Sequence, residues 1–210
     1  MRRKLGKLCI GLGSLCIAAA LVLLLYNYRE EHRAEEISRQ LVPALEEVIA
    51  ERDLEPEEGD APAPDPEPEI TLDGAVYLGW LDIPALDLQL PVRAEWSYPA
   101  LKQSPCRYTG SAAAGGFVIA AHNYRRHFAY ISSLAIGDPV VFTDANGTKY
   151  FYEVSLLETL SPYSIEEMTD THWDLTLFTC TYGGKSRVTV RCTRADGIVG
   201  VPVEPTDAGN

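Results

Sequence analysis

The stretch DLTLFTCTYGGKSRVTVRCT, residues 174–193, alternates apolar and polar side chains on either side of Gly183-Gly184. Alternation of this kind marks two half-buried strands, and a Gly-Gly pair between them marks a hairpin turn. A tight two-residue turn sets Cys180 opposite Arg187, Phe178 opposite Thr189, and Thr176 opposite Arg191. On the other face Thr179 meets Val188, Leu177 meets Val190, and Leu175 meets Cys192. The second set is mostly apolar and predicts the core face, which leaves the first for the solvent or groove face. Cys180 and Arg187 become neighbours with Cβ atoms about 5 Å apart. A guanidinium beside a thiol favours the thiolate, the reactive form. Cys192 points the other way as a small buried hydrophobe, so a Cys180–Cys192 disulfide is excluded.

The same short period continues upstream. It predicts strands over 76–83, 86–93, 116–121, 138–143, 148–156, 174–181 and 186–193, with a hairpin at Asp144-Ala145-Asn146-Gly147. Short helices are predicted around Tyr98–Gln103, Phe128–Leu134 and Ser164–Met168, the last with capping-box spacing of Ser164 and Glu167. Regular strands with few helices indicate an all-β domain, a barrel or a sandwich.

Ahead of this domain the chain changes character. Residues 1–7 form a basic tail with Arg2, Arg3, Lys4 and Lys7. Residues 8–26, LCIGLGSLCIAAALVLLLY, carry no charge and are long enough to cross a hydrocarbon core of roughly 30 Å as a helix. The basic flank predicts a single-pass plasma-membrane signal-anchor with a cytoplasmic N-terminus and the remainder outside. Residues 27–54 read as a helical stalk, with Ile37, Leu41, Leu45 and Ile49 spaced four apart as one apolar stripe. Residues 55–73 are an acidic, Pro-rich linker, because alternating proline and acid blocks helix and sheet alike. The folded domain then occupies residues 74–210.

The formal net charge of -12 excludes a nucleic-acid partner, since phosphate neutralisation needs clustered Lys and Arg. Eleven acidic residues and only Arg52 on the basic side fall within 46–69, so the acidity describes the linker more than a binding surface. Of the five cysteines, Cys9 and Cys16 lie in the apolar run, leaving Cys106, Cys180 and Cys192 in the domain. That odd, sparse set is no disulfide framework, and no zinc-type spacing is present. No metal and no cofactor is expected. A thiol nucleophile needs an imidazole partner. Spacing alone leaves His122, His127 and His172 as candidates.

The motifs resemble those of the sortase family. Thr176-Leu177-Phe178-Thr179-Cys180 is similar to the TLxTC signature, and Arg187 follows on the next strand in Arg-Val-Thr-Val as the family's arginine does. Ala121-His122-Asn123-Tyr124 resembles the family's histidine segment. Leu134, Gly137-Asp138, the strand Val140–Thr143, Ile83-Pro84 and Leu90-Pro91-Val92 extend the likeness across residues 76–195. The resemblance implies an eight-stranded β-barrel and a cysteine transpeptidase. Cys180 would attack the Thr–Gly bond of an LPxTG-like sorting signal, and an amine of cell-wall peptide or a pilin lysine would resolve the thioacyl enzyme. It implies His122 as proton carrier and Arg187 as oxyanion stabiliser, with Thr179 and Asn123 beside the substrate. Its partners would be secreted proteins bearing sorting signals, met at a Gram-positive-type cell surface. The subclass stays open between class B-like and class D-like. Glu166, Glu167 and Asp170 read as a solvated acidic loop rather than a calcium site.

Two other readings are weighed against this one. An L,D-transpeptidase-like cell-wall enzyme would carry its cysteine in a Ser-His-Gly-Cys-like stretch, which Cys180 lacks. A catalytically silent extracytoplasmic binding module would need no ionisable thiol.

Overall fold

The computed structural model describes residues 2–54 and 67–195; most of the acidic linker and residues 196–210 lie outside them. A single long helix, α1 (Arg2–Leu54), precedes nine strands and two short helices. The strands are β1 (Ile70–Leu72), β2 (Ala75–Ile83), β3 (Leu88–Arg93), β4 (Cys106–Ser111), β5 (Gly115–Ala121), β6 (Pro139–Asp144), β7 (Lys149–Leu160), β8 (Leu175–Cys180) and β9 (Arg187–Arg194). Between them lie α2 (Tyr98–Leu101) and α3 (Ile165–Met168).

The sheet runs β1-β2-β3-β4-β5-β8-β9-β7-β6, and β6 pairs back onto β2. The eight strands β2 to β9 therefore close into a barrel, with β1 added beside the first. Closure needs a tight crossing at Gly79, which lies opposite Asp144 and carries a φ of 136°. A Cβ there would overlap the Thr143 carbonyl oxygen, so only glycine fits. Inward side chains of the strands form the interior, including Leu81, Leu90, Phe117, Ile119, Phe142, Val154, Leu177 and Val190.

Seven of the nine strands match the sequence periodicity. β1 and β4 were not legible from it. β1 is too short to show a period, and β4, Cys-Arg-Tyr-Thr-Gly-Ser, carries no clean apolar alternation. Over 128–134 the chain forms turns and a single 3₁₀ turn at Ile131–Ser133 rather than an α-helix. Helix α3 forms, but the Ser164 side chain makes no capping hydrogen bond.

The predicted stripe on the stalk is used. Leu41, Val42, Leu45 and Ile49 pack with Ile70, Tyr77, Trp80 and Ala145 on the outside of β1 and β2, and Ile37 flanks them. Residues of the apolar run upstream, such as Leu21 to Leu25, are exposed. Within α1 this run is long and apolar enough to cross a membrane. At the other end of the linker, Glu67 pairs with Arg107 on β4 and accepts a hydrogen bond from the Ala112 N–H at 3.2 Å.

Candidate active site

Strands β8 and β9 pair in the register that residues 174–193 predict, from Leu175 with Cys192 to Cys180 with Arg187. The turn is wider than the Gly-Gly pair suggests. The Thr181 N–H bonds to the Ser186 carbonyl at 2.9 Å, and the Gly184 N–H to the Thr181 carbonyl at 2.8 Å. Tyr182 to Lys185 thus form a four-residue loop, with Gly183 and Gly184 both at positive φ. The Thr181 hydroxyl clasps Ser186 from both sides, accepting from its N–H at 3.0 Å.

Parallel pairing of β5 with β8 brings in the third group. Ala121 stands beside Thr179, and both are buried. The Thr179 hydroxyl donates to the Ala121 carbonyl at 2.8 Å and locks the ends of the two strands together. The next residues, His122 and Cys180, follow at the same level, and strand alternation turns them to the opposite, outer face. His122, Cys180 and Arg187 thereby form a row across three neighbouring strand positions, with strands about 4.8 Å apart. His172 lies before the first residue of β8, at the far end of the strand from Cys180. His127 is fully buried, and neither ring nitrogen has a hydrogen-bond partner among the described residues. Of the three candidate imidazoles, His122 is the one that directly follows the β5 residue paired with Thr179, the neighbour of Cys180.

Thiol environment separates the cysteines. Cys180 is half-buried, whereas Cys106 and Cys192 are fully buried. Burial pushes both buried thiols up to about 12, which keeps them protonated and inert. All five cysteines are free. Desolvation, with the nearby Lys102 charge adding to it, holds His122 below the ordinary imidazole value of 6.5. It is therefore neutral at pH 7 and able to accept a proton. Arg187 Nη1 donates to the Gly184 and Ser186 carbonyls at 3.2 Å each. It forms no ion pair among the described residues, so its charge is available to an oxygen developing at the site. Asn123, next to His122, is half-buried.

The outer face beside Cys180 is not open to water along its length. Phe178, Val118, Ala120 and Met168 form a second apolar cluster, with Tyr108 and Leu160 against it. Thr176, Thr189 and Arg191, which alternation assigns to a solvent or groove face, are likewise buried. The reason is tertiary: the segment carrying α3 folds over this face. Arg191 holds it there, donating from Nε to Glu158 at 2.8 Å, from Nη1 to the Thr176 hydroxyl at 3.0 Å and the Met168 carbonyl at 3.2 Å, and from Nη2 to the Glu167 carbonyl. An aromatic row leaves the cluster, from Phe178 to Tyr108 at 5.4 Å and on to Trp96 at 5.7 Å, ending on exposed Tyr98. Sequence reasoning missed Tyr108 and Trp96 because they lie on or before the strand it did not find.

Asp170 Oδ1 accepts the His172 N–H at 3.0 Å. Among the described residues no three His, Cys, Asp or Glu side chains gather as a metal site would require.

Buried His127 has a consequence for acid stability. Burial above all, and then the proximity of His122, lower it to about 4 from 6.5. The unfolded chain therefore binds this proton first. Stability is fully present above pH 6.5 and is lost as pH falls toward 4, by about 3 kcal/mol at about 1.4 kcal/mol per pKa unit. Denaturation curves at pH 7 and pH 4.5 should show that loss, and His127→Phe should flatten it.

The domain description that matches the chain is "Sortase domain", over residues 81–195. No curated protein matches. Among solved structures, sortase C from Clostridium perfringens is 25% identical with a TM-score of 0.52, over 74% of this chain and 90% of that one. A Clostridium perfringens sortase D5 transpeptidase is 18% identical with a TM-score of 0.56, over 76% and 99%. Sortase C1 from Streptococcus agalactiae is 24% identical with a TM-score of 0.54, over 61% and 72%. The last two likenesses concern the fold alone. With the domain match spanning more than half its length and running through His122, Cys180 and Arg187, the chain belongs to the sortase family.

Proposed function

We propose that this protein is a membrane-anchored cysteine transpeptidase that cleaves an LPxTG-like sorting signal through a thioacyl enzyme on Cys180. The observation that carries this reading is the row His122–Cys180–Arg187 on one face of three adjacent strands. Family membership supports transpeptidation in general, and the long apolar run of α1 supports anchoring.

The chemistry follows from the groups in the row. Neutral His122 takes the thiol proton as Cys180 sulfur bonds to the carbonyl carbon of the scissile Thr–Gly peptide. Arg187 stabilises the negative charge that develops on the carbonyl oxygen. The C–N bond then breaks, and the proton on His122 passes to the leaving amine. A second amine, from cell-wall peptide or a pilin lysine, gives a proton to His122 and attacks the thioester. Cys180 leaves as thiolate and regains the proton. Thr179 contributes from its backbone, because its hydroxyl is committed to Ala121. Asn123, on the loop after His122, flanks the bound peptide. Transfer takes place on the outer side of the membrane, with the short basic tail inside.

The test is incubation of the full chain in detergent micelles with an LPxTG-type peptide and an amine acceptor, followed by intact mass. The expected result is peptide–amine product and a transient adduct on Cys180. Product without any Cys180 adduct, or no product across a panel of sorting motifs and amines, would sink the assignment.

A further inference from the structure

His122 sits at the start of a loop whose Phe128 is buried in the barrel core, whose Arg126 lies 3.9 Å from Asp87, and which also reaches α1. The loop folds back on itself through the Phe128 N–H to the His122 carbonyl at 3.3 Å, and through the His127 and Ala129 N–H groups to the Tyr124 carbonyl at 3.0 Å each. The Arg125 N–H finds its acceptor elsewhere, on Glu31 Oε1 of α1 at 2.6 Å. One turn further along α1, Glu35 pairs with Arg126 at 3.2 Å. Two consecutive loop residues are thus held by two carboxylates one helical turn apart, and that spacing puts both on the same face of the helix.

Between those anchors and the thiol's partner stands Tyr124. Its ring stacks on His122, with centroids 4.7 Å apart and planes 24° from parallel. Behind it lies buried His127, with ring centroids 5.6 Å away. The imidazole of His127 has no hydrogen-bond partner among the described residues and packs behind Tyr124. The His122 ring is oriented by an aromatic plate, and the plate's loop is fixed by the helix. The acids of α1 and the arginines of the loop are complementary in sign, so the docking has a charge pattern as well as an apolar seam further down the helix.

We propose that α1 is a positioning element of the active site: Glu31 and Glu35 fix the 122–129 loop so that Tyr124 holds the His122 ring against Cys180. The inference rests on the thiol–imidazole reading given above, and it assigns a catalytic consequence to a segment that composition marks only as a stalk. Because α1 is continuous with the apolar run, the helix that anchors the protein is also the one that sets its histidine. Glu31 follows the last residue of that run, Tyr26, by about 8 Å at 1.5 Å per residue. The site is therefore held near the membrane surface rather than swinging on a tether.

The experiment uses full-length protein in detergent micelles and reads site-resolved alkylation of Cys180 by iodoacetamide, which needs no sorting peptide. His122→Ala sets the rate of an unassisted thiol. Glu31→Ala combined with Glu35→Ala is expected to slow alkylation at pH 7 by about tenfold, toward that rate. Glu31→Gln keeps an oxygen acceptor for the Arg125 N–H and is expected to retain most of the wild-type rate. Tyr124→Ala should slow alkylation similarly and Tyr124→Phe should not, which tests the plate even where the double glutamate variant folds poorly. A wild-type rate in both the double glutamate variant and Tyr124→Ala, with His122→Ala slow, overturns the proposal and leaves the His122–Cys180 pairing standing. An unchanged rate in His122→Ala overturns both.

Discussion

Cys180→Ala is expected to reduce transpeptidation to background, a loss of at least about a thousandfold, while the melting temperature stays near that of the wild type. The side chain is half-buried at a strand end, so its removal opens no large cavity. What disappears is the only accessible thiol of the barrel, since Cys106 and Cys192 are sealed in apolar surroundings and held at about 12. His122→Ala and Arg187→Ala should each cost about 10²–10³-fold in kcat, the usual worth of a proton carrier or an oxyanion partner. The three losses should not add, because the groups act on one proton and one oxygen. A pH profile checks the assignment independently. Burial favours the neutral imidazole, so the acid limb governed by His122 must fall below the ordinary 6.5. Initial rates from pH 4.5 to 8 with a sorting peptide in excess would measure it. An acid limb above 6.5 contradicts the burial of His122.

The second large effect is on stability. Arg191→Ala should destabilise the fold by about 3–5 kcal/mol, the cost of removing one partner from a buried charged cluster. Arg191 is 2% exposed and joins Glu158, Thr176 and the carbonyls of Glu167 and Met168. Its loss removes a donor from the Thr176 hydroxyl and the Met168 carbonyl and frees the α3 segment from the outer face. Arg191→Lys keeps the charge but not the fork that reaches several oxygens at once, so it should recover only part of the loss. Urea denaturation gives the stability change. Hydrogen exchange over residues 161–174 separates local release of the segment from global unfolding. The activity effect should appear chiefly in KM, because the wall of the groove moves while the row of three groups stays.

The hairpin from Leu175 to Arg194 was the most readable part of the chain, and the reason is geometric. Side chains in a strand alternate with period two, so once one face is apolar the register has a single solution. Cys180 beside Arg187 followed from that alone, even though the turn proved to be four residues wide. The fate of the outer face did not follow. Thr176, Thr189 and Arg191 are polar and alternate with core residues, a pattern that normally means solvent. They are buried because a distant segment covers them, and local periodicity carries no information about what covers a face. β4 was missed for a related reason. Its register with β5 shifts twice, which breaks the alternation a sequence pattern depends on.

The imidazole partner shows where sequence by itself stopped. Three histidines had the right chemistry, and spacing left them open; the family's motif favoured His122. Only the parallel pairing of β5 with β8, formed between segments nearly sixty residues apart, puts His122 level with Cys180 and leaves His172 at the far end of the strand. The amino-acid sequence determined the all-β class, the strand register around the thiol, the apolar stripe of the helix and the membrane-length run before it, because each is written in short-range periodicity. The tertiary structure decided that the strand leading to His122 lies beside the strand of Cys180, that Arg191 is buried, and that α1 lies against the His122 loop. Those depend on which surfaces meet after long-range closure of the barrel, and that is set by the summed packing of the whole chain rather than by any one segment.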